Sequence, residues 1–198
     1  MAPKYDLTDE ELNKLARLAA EAKTTAYCPY SNFRVGAALL LRCGVHTGTI
    51  ASTIAPSKSR IQAHTLTNPH RTQRLPHSAN VEVAATPVGI CAERCALAPV
   101  VASFANPRPS MPVIRALAVS TDIDPPASPC GMCRQFIREF CGDGMRVWMY
   151  GKKAEEGKGG VEAMGERGVS LTVKELLPMS FGPGDMDKRE NKSTPKIG

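Results

Sequence analysis

No apolar run in this 198-residue sequence approaches the roughly 20 residues that a helix needs to cross a bilayer. The opening Met1-Ala2-Pro3-Lys4-Tyr5-Asp6 carries no hydrophobic signal region. No membrane role is expected, and the expected setting is cytoplasmic, intracellular and reducing. Histidine is scarce: three of the four lie within residues 49–78, at intervals of six and seven that make no ligand cluster. Metal chemistry, if present, must therefore come from cysteine. Seven cysteines dispersed through a chain of this size do not suggest the disulfide framework of a small secreted domain. Residues 49–78 also lack any acidic, aromatic or glycine residue, while holding five threonines, four serines and three prolines. Lys58, Arg60, Arg71 and Arg74 give that stretch a charge of +4, and residues 187–198 add +2, so these two segments account for the whole net charge of +6. Basicity confined to an insert and a tail, away from the chemistry below, makes a nucleic-acid partner unlikely on this reading.

What is present is concentrated in two short stretches, Cys91-Ala92-Glu93-Arg94 and Pro129-Cys130-Gly131-Met132-Cys133. The C-x-x-C spacing lets Cys130 and Cys133 hold one metal from a single turn, and Cys91 supplies a third thiolate. Three protein ligands leave one tetrahedral position open to water, which marks a catalytic rather than a structural zinc. Glu93, two residues from a ligand, reaches such a water without being a ligand. A lone C-x-x-C also serves redox sites and closed structural zinc, and the latter would need a fourth ligand. Cys28, Cys43, Cys95 and Cys141 are spares, but none forms a second C-x-x-C, and free cysteine is commonly a small buried hydrophobe.

Periodicity places these stretches in an alternating frame. Thr8-Asp9-Glu10-Glu11 reads as a capping box opening a helix that runs to about Thr25, with Leu12, Leu15, Ala16 and Ala19 on its core face. Phe33 to Leu41 reads as a buried strand, with Tyr30 and Phe33 at its opening, where they either face a site or simply join the core. Asn80 and Glu82, at i and i+2 of an extended segment, share one face. A helix is predicted from Ile90-Cys91 onward and another over Arg134 to Phe140, each placing thiols at a helix start, where the thiolate is favoured. Ile114 to Ser120, Arg146 to Tyr150 and Val169 to Val173 read as further strands, residues 157–168 as a loop, and Thr172 or Lys174 as the start of a short helix. The fold class is α/β, a three-layer α/β/α sandwich with a mixed sheet of about five strands.

Five blocks then carry a family resemblance: Ala26-Tyr27-Cys28-Pro29-Tyr30-Ser31-Asn32-Phe33 with Val35-Gly36-Ala37-Ala38-Leu39-Leu40, Asn80-Val81-Glu82, Cys91-Ala92-Glu93-Arg94, Pro129-Cys130-Gly131-Met132-Cys133-Arg134-Gln135, and Glu175 to Pro183. In this order, the sequence resembles the small, homotetrameric cytidine deaminases with an all-cysteine zinc site. The resemblance implies hydrolytic deamination of cytidine and deoxycytidine to uridine and deoxyuridine with release of ammonia, as in pyrimidine salvage. It implies Zn²⁺ on Cys91, Cys130 and Cys133, proton transfer by Glu93, and hydrogen bonds from Arg94 to the ligand sulfurs. Asn80 and Glu82 would hold the ribose 3′-hydroxyl, Phe33 would stack on the base near Tyr30, and Phe181 would enter a neighbouring subunit's pocket. A deaminase of a modified cytosine nucleoside or antibiotic, and a zinc-stabilised nucleic-acid-binding module, are the alternatives; the latter has no need of Glu93.

The domain expectation is a single deaminase-like domain over residues 1–186, with a disordered basic tail at 187–198. In the family, the equivalents of Thr47-Gly48 run straight into those of Ala79-Asn80, so residues 49–78 interrupt a core element, as a long surface loop or a translated intron. Three departures from the family pattern stand out: Thr86 at a position often aromatic, Val83 in place of a frequent Asn, and Pro99 inside the helix after Cys91, where it is expected to bend or stop it.

Overall fold

A computed structural model describes residues 6–42, 76–102, 111–157, 160 and 164–190. Residues 49–75 of the expected insert and 191–198 of the expected tail lie outside them. The first helix, α1 (Asp9–Ala22), begins at the anticipated cap: the Thr8 hydroxyl accepts from Glu11 N at 3.2 Å and the Glu11 carboxylate accepts from Thr8 N at 3.0 Å. A short 3₁₀ turn over Lys23–Thr25 closes it.

Strand β1 (Val35–Arg42) follows and is buried along almost its whole length. Its neighbours are β2 (His77–Ala79) on one side and β3 (Val113–Thr121) on the other, both antiparallel to it. Beyond β3 lie the parallel β4 (Arg146–Tyr150) and the antiparallel β5 (Val169–Thr172), giving the order β2-β1-β3-β4-β5. The sheet is mixed and five-stranded. Alternation sorts its side chains into two cores. Ala38, Leu40, Ala116, Ala118 and Tyr150 meet Leu15, Ala16 and Ala19 of α1 on one face. Ala37, Leu39, Leu117, Val119, Val147 and Met149 meet α2 (Ala92–Ala102) and Ile137 of α3 (Gly131–Phe140) on the other. Helices thus cover both faces, which is the three-layer arrangement. The small residues of β1 are explained by how closely α1 crosses it: a Cβ on Gly36 would lie 2.0 Å from Ala19 O.

Several boundaries differ from the sequence reading for definable reasons. His77 and Ser78, placed in the insert by composition, pair with Ala38 and Ala37 and so belong to the sheet. Leu39 N extends the ladder to Pro76 O at 2.8 Å. Asp187 to Glu190, assigned to the tail, complete α6 (Pro183–Glu190), a helix too polar to show an apolar stripe. The expected loop at 157–168 includes a 3₁₀ turn, Gly165–Arg167. Helix α4 (Lys152–Glu156) is too short for periodicity to reveal, and α5 (Val173–Leu176) starts at the Thr172 capping box. Pro99 does not end α2, which continues to Ala102.

Candidate active site

The site is assembled at the end of the sheet where β1 begins and β3 finishes, Val35 pairing with Thr121. From Thr121 the chain leads to Cys130, which caps α3, with Cys133 buried in its first turn. Cys91 lies immediately before α2 and accepts, through its carbonyl, the first helical bond from Cys95 N at 3.0 Å. Two helix N-termini therefore deliver the three thiols to one point, where all three sulfurs lie within 4.8 Å of one another. Cys91 Sγ and Cys130 Sγ are 3.8 Å apart.

The electrostatics of this cluster call for a cation. Hydrogen bonding from the Cys133 thiol, helped by Arg94 and Cys130, pushes the Cys91 thiol down to about 5. Cys133 moves in the opposite direction, because it keeps the proton that it shares with Cys91 and is itself desolvated. A divalent metal ionises all coordinating thiols and removes that competition. Arg94 extends toward the sulfurs, with one guanidinium nitrogen 4.0 Å from Cys91 Sγ and 3.5 Å from Gly89 O, while its Nε is buried without a partner. A positive side chain held beside three thiols suits a Zn²⁺ whose three thiolates leave one net negative charge. The donor set therefore fits zinc. Glu93 is only 4% exposed, and burial is the main reason its carboxyl is raised above the usual range.

The anticipated sugar contacts sit on the adjoining segment. Val81, between Asn80 and Glu82, bridges Tyr27 on one side and Ile90 on the other. Val81 N donates to Ile90 O at 3.0 Å, and Ile90 N donates back to Val81 O at 2.9 Å, one residue before Cys91. Asn80 spends part of its amide on the backbone: Oδ1 accepts from Val35 N at 2.8 Å and Nδ2 donates to Phe33 O at 3.0 Å. One Nδ2 hydrogen remains for a ligand. Glu82 is partly exposed and accepts from Tyr30 N at 3.1 Å, from Ser31 N at 3.2 Å and from the Ser31 hydroxyl. These bonds, the Ser31 hydroxyl first, hold its carboxyl below the usual range.

Phe33 is half-buried and anchored through both backbone groups, its N–H donating to Ser31 Oγ at 3.0 Å and its carbonyl accepting from Asn80. Asn32 before it adopts φ 54°, a left-handed conformation that asparagine tolerates better than most residues, so the turn that aims Phe33 is written in the sequence. Tyr30 is exposed beside Glu82. Phe181 lies further off, 53% exposed, with its carbonyl accepting from Gln135 Nε2 at 3.0 Å. Thr86 opens an exposed 3₁₀ turn, Thr86–Val88, and Val83 is exposed. Two supporting residues had no assigned part in the sequence reading: Ser31, which orients Glu82, and Arg134, which binds Pro129 O at 2.6 Å. Ser31 was detectable only as a hydroxyl inside a matched block. Arg134 likewise stood inside a matched block, but nothing in the sequence showed that its guanidinium turns back to Ser128 and Pro129 and across to Leu176.

Comparison with known proteins agrees with this geometry. Residues 9–150 match the family model for the cytidine and deoxycytidylate deaminase zinc-binding region. The chain belongs to this family. A cytidine deaminase of Sporosarcina psychrophila is 32% identical over 176 residues, covering 89% of this chain and 95% of that protein. One from Halalkalibacterium halodurans is 31% identical over 87% and 96%, respectively. Among solved structures, the cytidine deaminase of Burkholderia pseudomallei superposes with a TM-score of 0.57 at 28% identity, covering 85% of this chain and 97% of that one. That of Mycobacterium tuberculosis, at a TM-score of 0.52 and 23% identity over 90% and 100%, shares the fold. In this deaminase, as expected from the sequence, the three-cysteine cluster is the part able to hold the zinc of the family.

Proposed function

We propose that the protein is a zinc-dependent cytidine deaminase acting on cytidine and deoxycytidine, with Cys91, Cys130 and Cys133 as ligands and Glu93 as the proton carrier. The observation that carries the reading is the coincidence of three thiols within 4.8 Å with a buried, raised carboxyl two residues from one of them. Zinc, when bound there, supplies a Lewis acid that makes water nucleophilic near neutral pH. Glu93 takes one proton from the attacking water and passes it to N3 as the oxygen adds to C4, then takes the remaining hydroxyl proton from that oxygen and passes it to the C4 amino group, so that C4=O forms as the C4–N bond breaks and ammonia leaves. Its burial suits that work, since a desolvated carboxyl holds a proton more readily than a solvated one. Arg94 offsets the charge of the thiolates. Phe33 stacks on the base, and Tyr30 lines the approach beside Glu82. The remaining Nδ2 hydrogen of Asn80 and the partly exposed carboxylate of Glu82 hold the ribose 3′-hydroxyl.

The same reading makes the deaminase a homotetramer in the cytoplasm. Phe181 and Met179 project into solvent from the segment fastened to α3, and Met132 and Phe136 help line an open depression of about 420 Å³ on that helix. A second copy covering these apolar groups would let Phe181 complete a neighbouring site. The domain reading is one deaminase unit over residues 1–186, with residues 49–75 dispensable and β2 retained. A spectrophotometric assay with cytidine, repeated after chelation and after zinc is restored, tests the central proposal. Turnover that disappears and returns with zinc supports it. No turnover on cytidine by the zinc-loaded protein, with turnover on a modified cytosine nucleoside, would transfer the proposal to that substrate class.

A further inference from the structure

Arg134 follows the last metal-site cysteine, yet its guanidinium turns back toward the segment that precedes the second one. Nε donates to Pro129 O at 2.6 Å, one terminal nitrogen donates to Ser128 Oγ at 2.7 Å, and the other donates to Leu176 O at 3.0 Å. The planar fork thus joins two consecutive residues of the Cys130 approach to the end of α5. We propose that Arg134 is a positioning residue for the metal: it fixes the Ser128-Pro129 segment so that the Cys130 sulfur stands in its ligating place before the ion arrives.

The need for such a device follows from the local chain. Cys130 is exposed, and it caps α3 without a side-chain bond of its own. Cys133 is held by the helix and by burial, and Cys91 by α2 and by the pairing of Ile90 with Val81. Cys130 is tied to α3 through its carbonyl, which accepts from Arg134 N at 2.9 Å, but it is the most exposed of the three, and what remains to place it is the loop before it. A loop ordered in advance loses less conformational freedom when the metal binds, and a ligand kept in place recaptures an ion that has let go of one sulfur. The effect belongs in retention of the metal more than in the chemical step, because Arg134 makes no contact with the carboxylate that moves the proton. Arg138, one turn further along the same helix, is a natural control: it binds Ser180 Oγ at 3.0 Å and pairs with Asp143 at 3.4 Å, and is not bonded to the Ser128-Pro129 segment.

This inference rests on the ligand assignment proposed above, so the test begins with the zinc content of the full-length wild-type protein. One zinc per chain, lost in Cys130→Ser, upholds that assignment; no bound zinc in the wild type would overturn it and this inference together. The measurement is then the rate at which zinc passes from the loaded protein to a colorimetric chelator. Arg134→Lys, which keeps the charge and loses the fork, is expected to release zinc at least tenfold faster. Ser128→Ala, which removes one of the three bonds, should release it about threefold faster, and Arg138→Gln at the wild-type rate. Turnover of the zinc-loaded Arg134→Lys protein should stay within about threefold of wild type. Wild-type release rates in both Arg134→Lys and Ser128→Ala, or equal acceleration by Arg138→Gln, would overturn the proposal and leave Arg134 as general scaffolding. Should Arg134→Lys not fold, Ser128→Ala decides, with an unchanged rate counting against the proposal.

Discussion

Two polar clusters are built into this otherwise apolar α/β frame, and they solve the problem of burial in opposite ways. Around Lys23, which is 4% exposed, the ammonium pairs with Asp122 at 3.1 Å and Glu155 at 2.5 Å and also reaches Thr121 O at 3.5 Å. The second carboxylate charge is answered by Arg34, whose guanidinium grips Asp122 at 2.9 and 3.1 Å, and Ser120 donates its hydroxyl to Glu155. That cluster carries its own counter-charges. Around Cys91, Cys130 and Cys133, the groups are all acids, Glu93 included, with Arg94 against them and its Nε without a partner. A cluster closed by its own residues is architecture, whereas one that is complete only with an added cation is a binding site. Burial does not make the contrast, since each cluster pairs a buried member, Lys23 or Glu93, with an exposed one, Arg34 or Cys130.

The largest effect that should separate the two falls on Glu93. Glu93→Gln keeps the shape and removes the proton carrier, so turnover should drop about 10³-fold or more while metal content and thermal midpoint stay close to wild type. Retention of most activity would remove Glu93 from its assigned role. Lys23→Met should do the reverse, costing about 2 kcal/mol of stability because it leaves the half-buried Glu155 carboxylate without its cation, and lowering the midpoint by roughly 4–8 °C. Its folded fraction should still turn over cytidine near the wild-type rate. A Lys23 variant with an unchanged midpoint would show that the cluster contributes no net stability.

Smaller effects refine the boundary between scaffold and site. Glu82→Ala should reduce kcat/KM for cytidine roughly 30-fold, the loss of one hydrogen bond to a charged group, without changing any slow reaction on free cytosine. Equal losses on both substrates would remove the ribose assignment. Asn80→Ala is a less selective probe, because it also releases the backbone at Phe33 and Val35 and should lower the midpoint. The smallest expected effect concerns acid. Burial pushes the Asp122 carboxyl up, but Arg34 and Lys23 together outweigh it and hold it below its ordinary value. A lowered folded-state value gives stability that is present above the unfolded value, about 3.9, and disappears as pH falls through the folded one. The stability difference between wild type and Asp122→Asn should therefore be larger at pH 6 than at pH 3. A gap that widens on acidification would contradict the sign.

The sequence made these two clusters unequally visible, and the reason is physical. The metal residues fall in two short stretches because helix starts and a C-x-x-C turn gather ligands locally, and the ligand spacing is itself the signal. Asn80 and Glu82, proposed above to hold the ribose, were legible as an i, i+2 face, but their dependence on Ser31 and on the backbone around Phe33 and Val35 was not. The Lys23 cluster gave nothing away: Lys23 lies 98 residues from Thr121 and 99 from Asp122, and no local pattern records such a meeting. Elements followed the same rule. The capping box at Thr8 and the buried run of β1 were read from neighbours alone, whereas His77 and Ser78 take their strand identity from β1, against the composition of the stretch around them.

The double pairing of Val81 has a consequence for anyone who would reshape this protein. Because Val81 is bonded through its backbone to Ile90, while Asn80 O accepts from Tyr27 N at 3.0 Å and Glu82 N donates to Tyr27 O at 2.7 Å, Asn80 and Glu82 ride on the same short piece of sheet that leads into Cys91. On the site assignment proposed above, the segment works as a gauge block, setting the span from sugar to reacting ring atom by main-chain spacing. Libraries aimed at altered sugars can therefore vary the exposed Val83 and Thr86 while the calibration holds. Proline at 81 or 90 would delete a rung, and every dimension of the pocket would drift at once.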